Sequence, residues 1–558
     1  MNERNTLQDI LQISDLIQKE KDHVSIVAGV VDIAAASCNA EGSFFFSLND
    51  DYFLSLDYTQ NRTLEISCKG SDNLSLFPTV FLPEKQNQHK KSLVELCAFS
   101  GQTICTNNIY LETDKDISFF ESFDKENNYR TVSVLTIPIF SRRDIVIGVA
   151  QFINSENSSG QVVPFDKDDI ETAKSICTMA GLILENRRLR ESYVQLLESF
   201  IEVIARAIDA KSPYTGAHCQ RVPVITRLLA TAAVQQEDGP LKDFEMNTQD
   251  WYNLHIASWL HDCGKVTTPE YIVDKATKLE TIYNRIHEIR NRFEILRRDA
   301  HIEYLKKRLN NADTQENLQA EFINKIKQLE DDFDFVAKCN IGDKGLSDKD
   351  VSRLESIAHT QFTRYFSRLK GLSWAERDTI KDKELYDKPS IENLLQNRED
   401  HISNGYNNGE LYNLEIRNGT INKEEREKIN EHIIVTIDML KALPFPKELS
   451  DVVEYAGAHH ERMDGKGYPN GLIGDQMSTP AKIMAIADIF EALTANDRPY
   501  KEPKKLSEVL NIMKHMKNSG HIDPDLYEVF IRNKVYMDYA DQYVSPEQID
   551  DIDPENYL

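Results

Sequence analysis

Apolar and polar positions follow a strand-like pattern in short bursts through the first third of the chain, then change to a helical period. Residues 43–48, 52–57 and 63–68 are short and rich in aromatic or β-branched side chains, which predicts three strands. Residues 132–140 and 144–154 repeat the pattern, and Ser141-Arg142-Arg143 between them predicts a hairpin. An amphipathic helical stretch and the apolar run 24–36 precede the first strand. Residues 1–187 are therefore expected to form a small α+β domain.

From residue 165 to about 211 the pattern is helical. Leu189, Tyr193, Leu196, Phe200, Val203 and Ala207 alternate steps of four and three, a heptad seam along which two copies of the chain are expected to pair as a homodimer. This connecting helix is placed at 188–199, continuing to about 211. The rest of the chain reads as all-α. Ile282, Ile286, Ile289, Phe293 and Leu296 again step by four and three, a second run over 316–335 is expected to fold back on the first as a helical hairpin, and a third spans 348–369. Helices are expected around 506–516 and 525–533, followed by an acidic, exposed tail over 536–558.

A chain of 558 residues, 41% hydrophobic, can bury several cores, so the fold class is multidomain. The formal charge of −26 argues against a broad phosphate-tracking surface and so against duplex nucleic acid as a partner. Any phosphate site must then be local. The eight cysteines form no CxxC pair, which favours free thiols in a reducing compartment. Met1-Asn2-Glu3-Arg4-Asn5 opens no signal peptide, and the apolar run 24–36 is short and carries Asp32. A soluble cytoplasmic protein without membrane insertion is expected.

The candidate chemistry lies in the second half. His218 enters a helix after Tyr214-Thr215-Gly216-Ala217. The apolar helix from Trp251 ends in His261-Asp262-Cys263-Gly264-Lys265, where Leu254, Ser258 and His261 share an inward face. A buried aspartate needs a cation, and a metal ion supplies one. Asn422-Lys423-Glu424-Glu425 signals a helix start, and His432 follows on the apolar face of Ile429, Ile433 and Thr436. His459 and His460 close another apolar helix. Neighbouring helical side chains diverge by about 100°, so both rings reach one site only if it is broad, as a cluster of ions is. Asp488 interrupts an otherwise apolar run from Ala481 to Leu493 and also requires neutralisation.

In this order the motifs resemble the HD-GYP family of bacterial cyclic dinucleotide phosphodiesterases, a branch of the HD metal-dependent phosphohydrolases. The resemblance rests on His261-Asp262-Cys263-Gly264-Lys265 and on His459-His460-Glu461-Arg462-Met463-Asp464-Gly465-Lys466-Gly467-Tyr468-Pro469, and is extended by Asp488 and Asp497-Arg498-Pro499-Tyr500. It implies two divalent metal ions, iron or manganese. His218, His261, Asp262 and Asp488 would hold one, and His432, His459 and His460 the other, with Asp262 bridging. Asp262 and Lys265 take catalytic positions, while Lys265, Arg498, Lys501, Tyr468 and Gly467 are assigned to the substrate. The implied reaction is hydrolysis of cyclic di-GMP, either to linear pGpG or further to GMP. The order of strands in 1–187, with Tyr129–Ile139 and Ile147–Asn154, resembles a GAF sensory domain with an unknown small ligand.

Two departures stand out. Some family members place a Glu four residues before the first histidine and bind a third ion; Tyr214 stands there, so two ions are expected. The family pattern also runs directly from residues 200–279 to the helix of the third histidine, whereas here 280–418 intervene before 419–535 resume it. His287, His301, His359 and His401 in this helical insertion are read as ordinary residues, and His521 near the end as structural. Alternative functions are a phosphodiesterase preferring the mixed cyclic GMP-AMP dinucleotide, a non-catalytic dinucleotide sensor, and a di-iron oxygenase. The phosphate-gripping loop disfavours the last.

Overall fold

The computed structural model describes residues 12–13, 23–49, 53–69, 80–81, 91–211, 218–310, 312–403, 405–496 and 503–558. It divides into two compact units, Met1–Leu197 and Glu198–Leu558.

In the first unit, helix α1 (His23–Ser37) leads into strands β1 (Ala40–Leu48), β2 (Phe53–Asn61) and β3 (Ile66–Lys69). After β4 (Val80–Phe81), α2 (Leu93–Ser100), β5 (Ile104–Thr106) and α3 (Ser118–Asn127) come β6 (Val134–Phe140), β7 (Val146–Glu156) and β8 (Val162–Val163). The antiparallel sheet runs β3-β2-β1-β7-β6-β5, with β4 on β2 and β8 on β7. Consecutive Phe44, Phe45 and Phe46 show why it has two cores. Side chains alternate across a strand, so Phe45 joins Val27, Val31, Phe152 and Cys177 under the helices on one face, while Phe44 and Phe46 join Leu93, Cys97 and Phe123 on the other. The expected third strand begins later, at Ile66, because residues 62–65 form the turn from β2. The amphipathic stretch expected ahead of residue 24 falls largely outside the described residues. Helix α4 (Lys167–Asp209) covers the predicted connecting helix in one piece. Along it Leu189, Tyr193, Leu196, Phe200 and Val203 are 55–62% exposed.

The second unit is helical. Helices α5 (His218–Val234) and α6 (Thr248–Leu260) precede the insertion, whose α7 (Ile286–Leu309) and α8 (Gln315–Ile341) form the expected hairpin, followed by α9 (Asp348–Ala358). The third run, expected helical to residue 369, stops at Ala358. There the period changes to two: Phe362 is buried between exposed Gln361 and Thr363, and β9 (Gln361–Arg364) pairs antiparallel with β10 (Ser390–Asn393). The insertion packs its own core, Ile289, Phe293, Val336, Leu354, Ile357 and Leu414 among it.

The chain leaves for this excursion and returns at nearly one place. Thr420 Oγ1 donates to Lys275 O (3.0 Å), and Lys278 Nζ donates to the carbonyls of Leu414 and Ile416 (3.1 and 2.7 Å). With its ends already together, a long insertion leaves the surrounding fold intact. Helices α10 (Lys423–Ala442), α11 (Val452–Gly457), α12 (Thr479–Thr494), α13 (Leu506–Asn518), α14 (Pro524–Arg532) and α15 (Val535–Tyr543) complete the unit. The expected exposed tail is not one: α15 packs on α5, and Tyr536, Tyr539 and Tyr557 are buried. Its acidic composition hid three aromatic anchors.

Candidate metal centre

Each candidate ligand is placed by a helix end or a helix face. His261 caps the C-terminus of α6, which ends at Leu260 and gives way to a 3-10 turn, Cys263–Thr267. Lys265 therefore lies in the turn and not on the helix. The turn nevertheless brings its Nζ to 2.5 Å from Asp262 Oδ2. This turn packs tightly on α10: Gly264 N donates to Thr436 Oγ1 (2.9 Å), and a Cβ at Gly264 would lie 1.9 Å from His432 O. Only glycine permits that approach. Helix α10 starts at the predicted capping box, in which Asn422 and Glu425 bond reciprocally.

The seven predicted ligands converge. His218, His261, Asp262 and Asp488 form one group and Asp262, His432, His459 and His460 a second, the donor atoms within each lying within 4.8 Å of one another. Asp262 faces both: Oδ2 is 3.1 Å from His218 Nε2 and 3.3 Å from His261 Nε2, and Oδ1 is 3.3 Å from His432 Nε2. Asp488 Oδ1 closes the first group at 3.3 Å from His218 Nε2. His460 Nε2 faces His432 Nε2 at 3.2 Å.

The tautomers follow from the outer contacts. Nδ1 of His261 bonds Ser258 O (2.8 Å), that of His459 bonds Ala456 O (2.6 Å), and that of His432 bonds Ile429 O. A carbonyl only accepts, so each Nδ1 carries a proton and each Nε2 is the nitrogen turned to the centre. His261 Nε2, His459 Nε2 and Asp262 Oδ1 are buried with no hydrogen-bond partner. Buried polar atoms without a partner are costly, and a pair of divalent ions would satisfy them. The residues present fit that group.

The electrostatics agree. Burial opposes ionisation of Asp262, yet Lys265 and His261 hold its carboxyl well below the usual range, and His218 and His261 do the same for Asp488. Burial also opposes protonation of His218 and His261, but Glu491, Asp262 and Asp488 outweigh it, raising His218 well above the ordinary value and His261 to about 9. On the other side burial, then His261, depresses His459 to about 4, and burial, then His459, depresses His460. The carboxylates demand positive charge from one side, and neutral imidazoles wait on the other.

Tyr468 stacks on His460, ring centroids 4.8 Å apart, and burial followed by Asp488 pushes its phenol up to about 12. Gly467 lies so close to the backbone that a Cβ would sit 2.4 Å from Arg462 N. Arg498, Lys501 and Tyr214 lie outside the described residues. Three groups escaped the sequence reading. Buried Glu461 accepts from Asn470 N and Leu472 N (2.7 and 2.9 Å) and so fastens the loop after His460. Lys275 and Glu425 form a buried ion pair at 2.8 Å. Glu491 contacts His218 Nδ1 and accepts from Arg221 Nε (2.6 Å). Spacing alone signalled Glu491, three residues after Asp488 on one helix face.

A family model for the GAF domain matches residues 22–184, and one for the HD domain matches 404–526. The chain is thus similar to GAF domains in its first unit and to HD domains in its second. The HD match includes His432, His459, His460 and Asp488, while His218, His261 and Asp262 precede it across the insertion. Among the relatives, the 3'3'-cGAMP-specific phosphodiesterase 1 of Vibrio cholerae is 43% identical over 115 residues, 21% of this chain and 26% of that protein. A cyclic di-GMP phosphodiesterase of Pseudomonas aeruginosa is 40% identical over 81 residues, 14% of this chain and 19% of that one. Another cyclic di-GMP phosphodiesterase, of Thermotoga maritima, is 34% identical over 118 residues, 21% and 31% of the two chains. The matched stretch spans less than a third of each of these curated relatives. Among the described residues no helix is long and apolar enough to cross a membrane.

Proposed function

We propose that this chain is a cytoplasmic, metal-dependent phosphodiesterase that hydrolyses cyclic di-GMP to linear pGpG and onward to GMP, its rate adjusted by the GAF domain. The observation that carries the reading is the convergence of seven donors into two groups sharing Asp262, with the buried, unpartnered Nε2 atoms of His261 and His459 facing inward. The relatives' printed activities support it. The mixed imidazole and carboxylate set suits iron or manganese. Such ions, when bound, supply Lewis acidity and an activated water for in-line attack at phosphorus.

The chain's own residues bind and orient. His218, His261, Asp262 and Asp488 hold one position, and Asp262, His432, His459 and His460 the other. Lys265 stays protonated because Asp262 and Asp488 outweigh its burial, and so offers a cation to a phosphate oxygen. Tyr468 keeps its proton and lines the loop that Gly467 allows to close, while Arg498 and Lys501 grip the substrate. The exposed apolar stripe on α4 pairs two copies into a homodimer.

A preference for the mixed cyclic GMP-AMP dinucleotide is the second reading, favoured by the 43% identity to a relative named for that activity. A non-catalytic sensor is disfavoured by the complete donor set. The test is hydrolysis of both dinucleotides by anaerobically purified protein loaded with ferrous iron or manganese, beside His261→Ala and Asp262→Ala. Metal-dependent turnover lost in both variants is expected, and the ratio of rates ranks the substrates. Tight binding without turnover under either metal would replace the enzyme by the sensor.

A further inference from the structure

Two helices cross at His218, and each brings a second residue to the same ring. On α12, Asp488 and Glu491 are three residues apart and share a face. Asp488 Oδ1 approaches His218 Nε2 at 3.3 Å, while Glu491 Oε2 contacts Nδ1 on the opposite side of the ring. On α5, Arg221 lies three residues after His218 and donates through Nε to the other Glu491 oxygen at 2.6 Å. Glu491 is fully buried.

His218 differs in this from the other histidines. His261, His432 and His459 direct Nδ1 at main-chain carbonyls. Only His218, among the described residues, directs Nδ1 at a carboxylate. A carboxylate behind an imidazole fixes the ring's tautomer and raises the donor strength of the nitrogen in front. Arg221 donates to the second oxygen and fixes the carboxylate's plane. The first donor group also contains two carboxylates, Asp262 and Asp488, against the single shared Asp262 of the second.

We propose that Glu491, fixed by Arg221, is a positioning residue that acts through His218. It makes the position formed by His218, His261, Asp262 and Asp488 the tighter of the two, the one that fills first. This rests on the metal-dependent reading above. Glu491 touches no substrate, and its effect reaches the chemistry only through the orientation of His218 Nε2.

The test is manganese titration of the metal-stripped full chain by calorimetry, with electron paramagnetic resonance at each equivalent, for wild type, Glu491→Gln, His218→Ala and the double variant. Wild type is expected to bind two ions with unequal affinity. E491Q should weaken the tighter step roughly 10–100-fold, the range for outer-shell partners of metal ligands, and shift the one-equivalent resonance spectrum. In the His218→Ala background E491Q should change nothing further. Equal losses in both backgrounds, or none in either, would overturn the positioning role. If E491Q does not fold, Glu491→Asp keeps the charge but withdraws it from Nδ1. A smaller loss, again absent without His218, is then expected, and a loss that persists without His218 overturns the role. Failure of the wild-type chain to bind manganese at all would instead overturn the metal-dependent reading, and this role with it.

Discussion

Lys275 and Glu425 lie on opposite sides of the insertion and meet as an ion pair 2.8 Å long, each side chain only 1% exposed. Glu425 is also half of the capping box that starts α10, the helix of His432. The point where the excursion closes and the point where a ligand helix begins are therefore one structural joint.

Breaking one side of that joint strands the other. Lys275→Met leaves a buried carboxylate without its cation, and is expected to cost about 3–5 kcal/mol, as removing one partner of a buried pair does. Pairing it with Glu425→Gln, which keeps an N-terminal acceptor for the cap, should recover a large part of the loss. Denaturant melts of the three variants against wild type measure both quantities.

Gly264 carries a second expectation. A methyl group there would overlap His432 O at 1.9 Å, so Gly264→Ala must push the turn from α10. Overpacking of this kind costs about 1–3 kcal/mol. The separation of Asp262 from His432 should grow, and manganese stoichiometry measured by elemental analysis should fall below that of wild type.

His401 supplies the pH dependence of the insertion. Burial, then Arg398 and Arg285, depress its pKa to about 4 from an ordinary 6.5, against the opposing pull of Glu410 and Asp400. Between those values the unfolded chain binds the proton more readily than the folded one. Its stabilising contribution is thus complete above pH 6.5, falls as the pH drops toward 4, and is flat below. The span corresponds to about 3 kcal/mol. Hydrogen exchange of residues 398–410 at pH 7 and pH 5 should show the loss, and His401→Gln should flatten it.

The stripe on α4 gives a prediction about assembly. Replacing Leu196, 55% exposed, by Asp puts a charge in the seam. Sedimentation should then show half the wild-type mass, with altered turnover and unchanged metal content. Wild-type mass and wild-type turnover together would refute pairing along this helix.

What could be read in advance depended on how local the signal was. His261-Asp262 and His459-His460 each end an apolar helix, so their inward placement follows from a few neighbouring residues. The run from Gln361 to Arg364 reads as the continuation of the helical stretch that starts at residue 348, and only pairing with Ser390–Asn393, far along the chain, makes it a strand. Tyr536 and Tyr539 read as part of an acidic stretch, since α5, on which their helix packs, is about 300 positions earlier, and Tyr557 lies in a turn that packs on α13 and α14. Glu491 reads as an ordinary helical glutamate between Phe490 and Ala492. Its partner, His218, is 273 residues away.

Ser258 and Ala456, whose carbonyls aim the rings of His261 and His459, both lie in the final turn of a helix. Final turns are where helices fray first, because their carbonyls have no successor amide to hold them. The rings are aimed by helix ends that burial protects from such fraying, Ser258 being 1% exposed and Ala456 not at all. On warming, the two imidazoles are therefore expected to keep their bearing until the domain itself opens, so that loss of bound manganese should coincide with the melting of the fold.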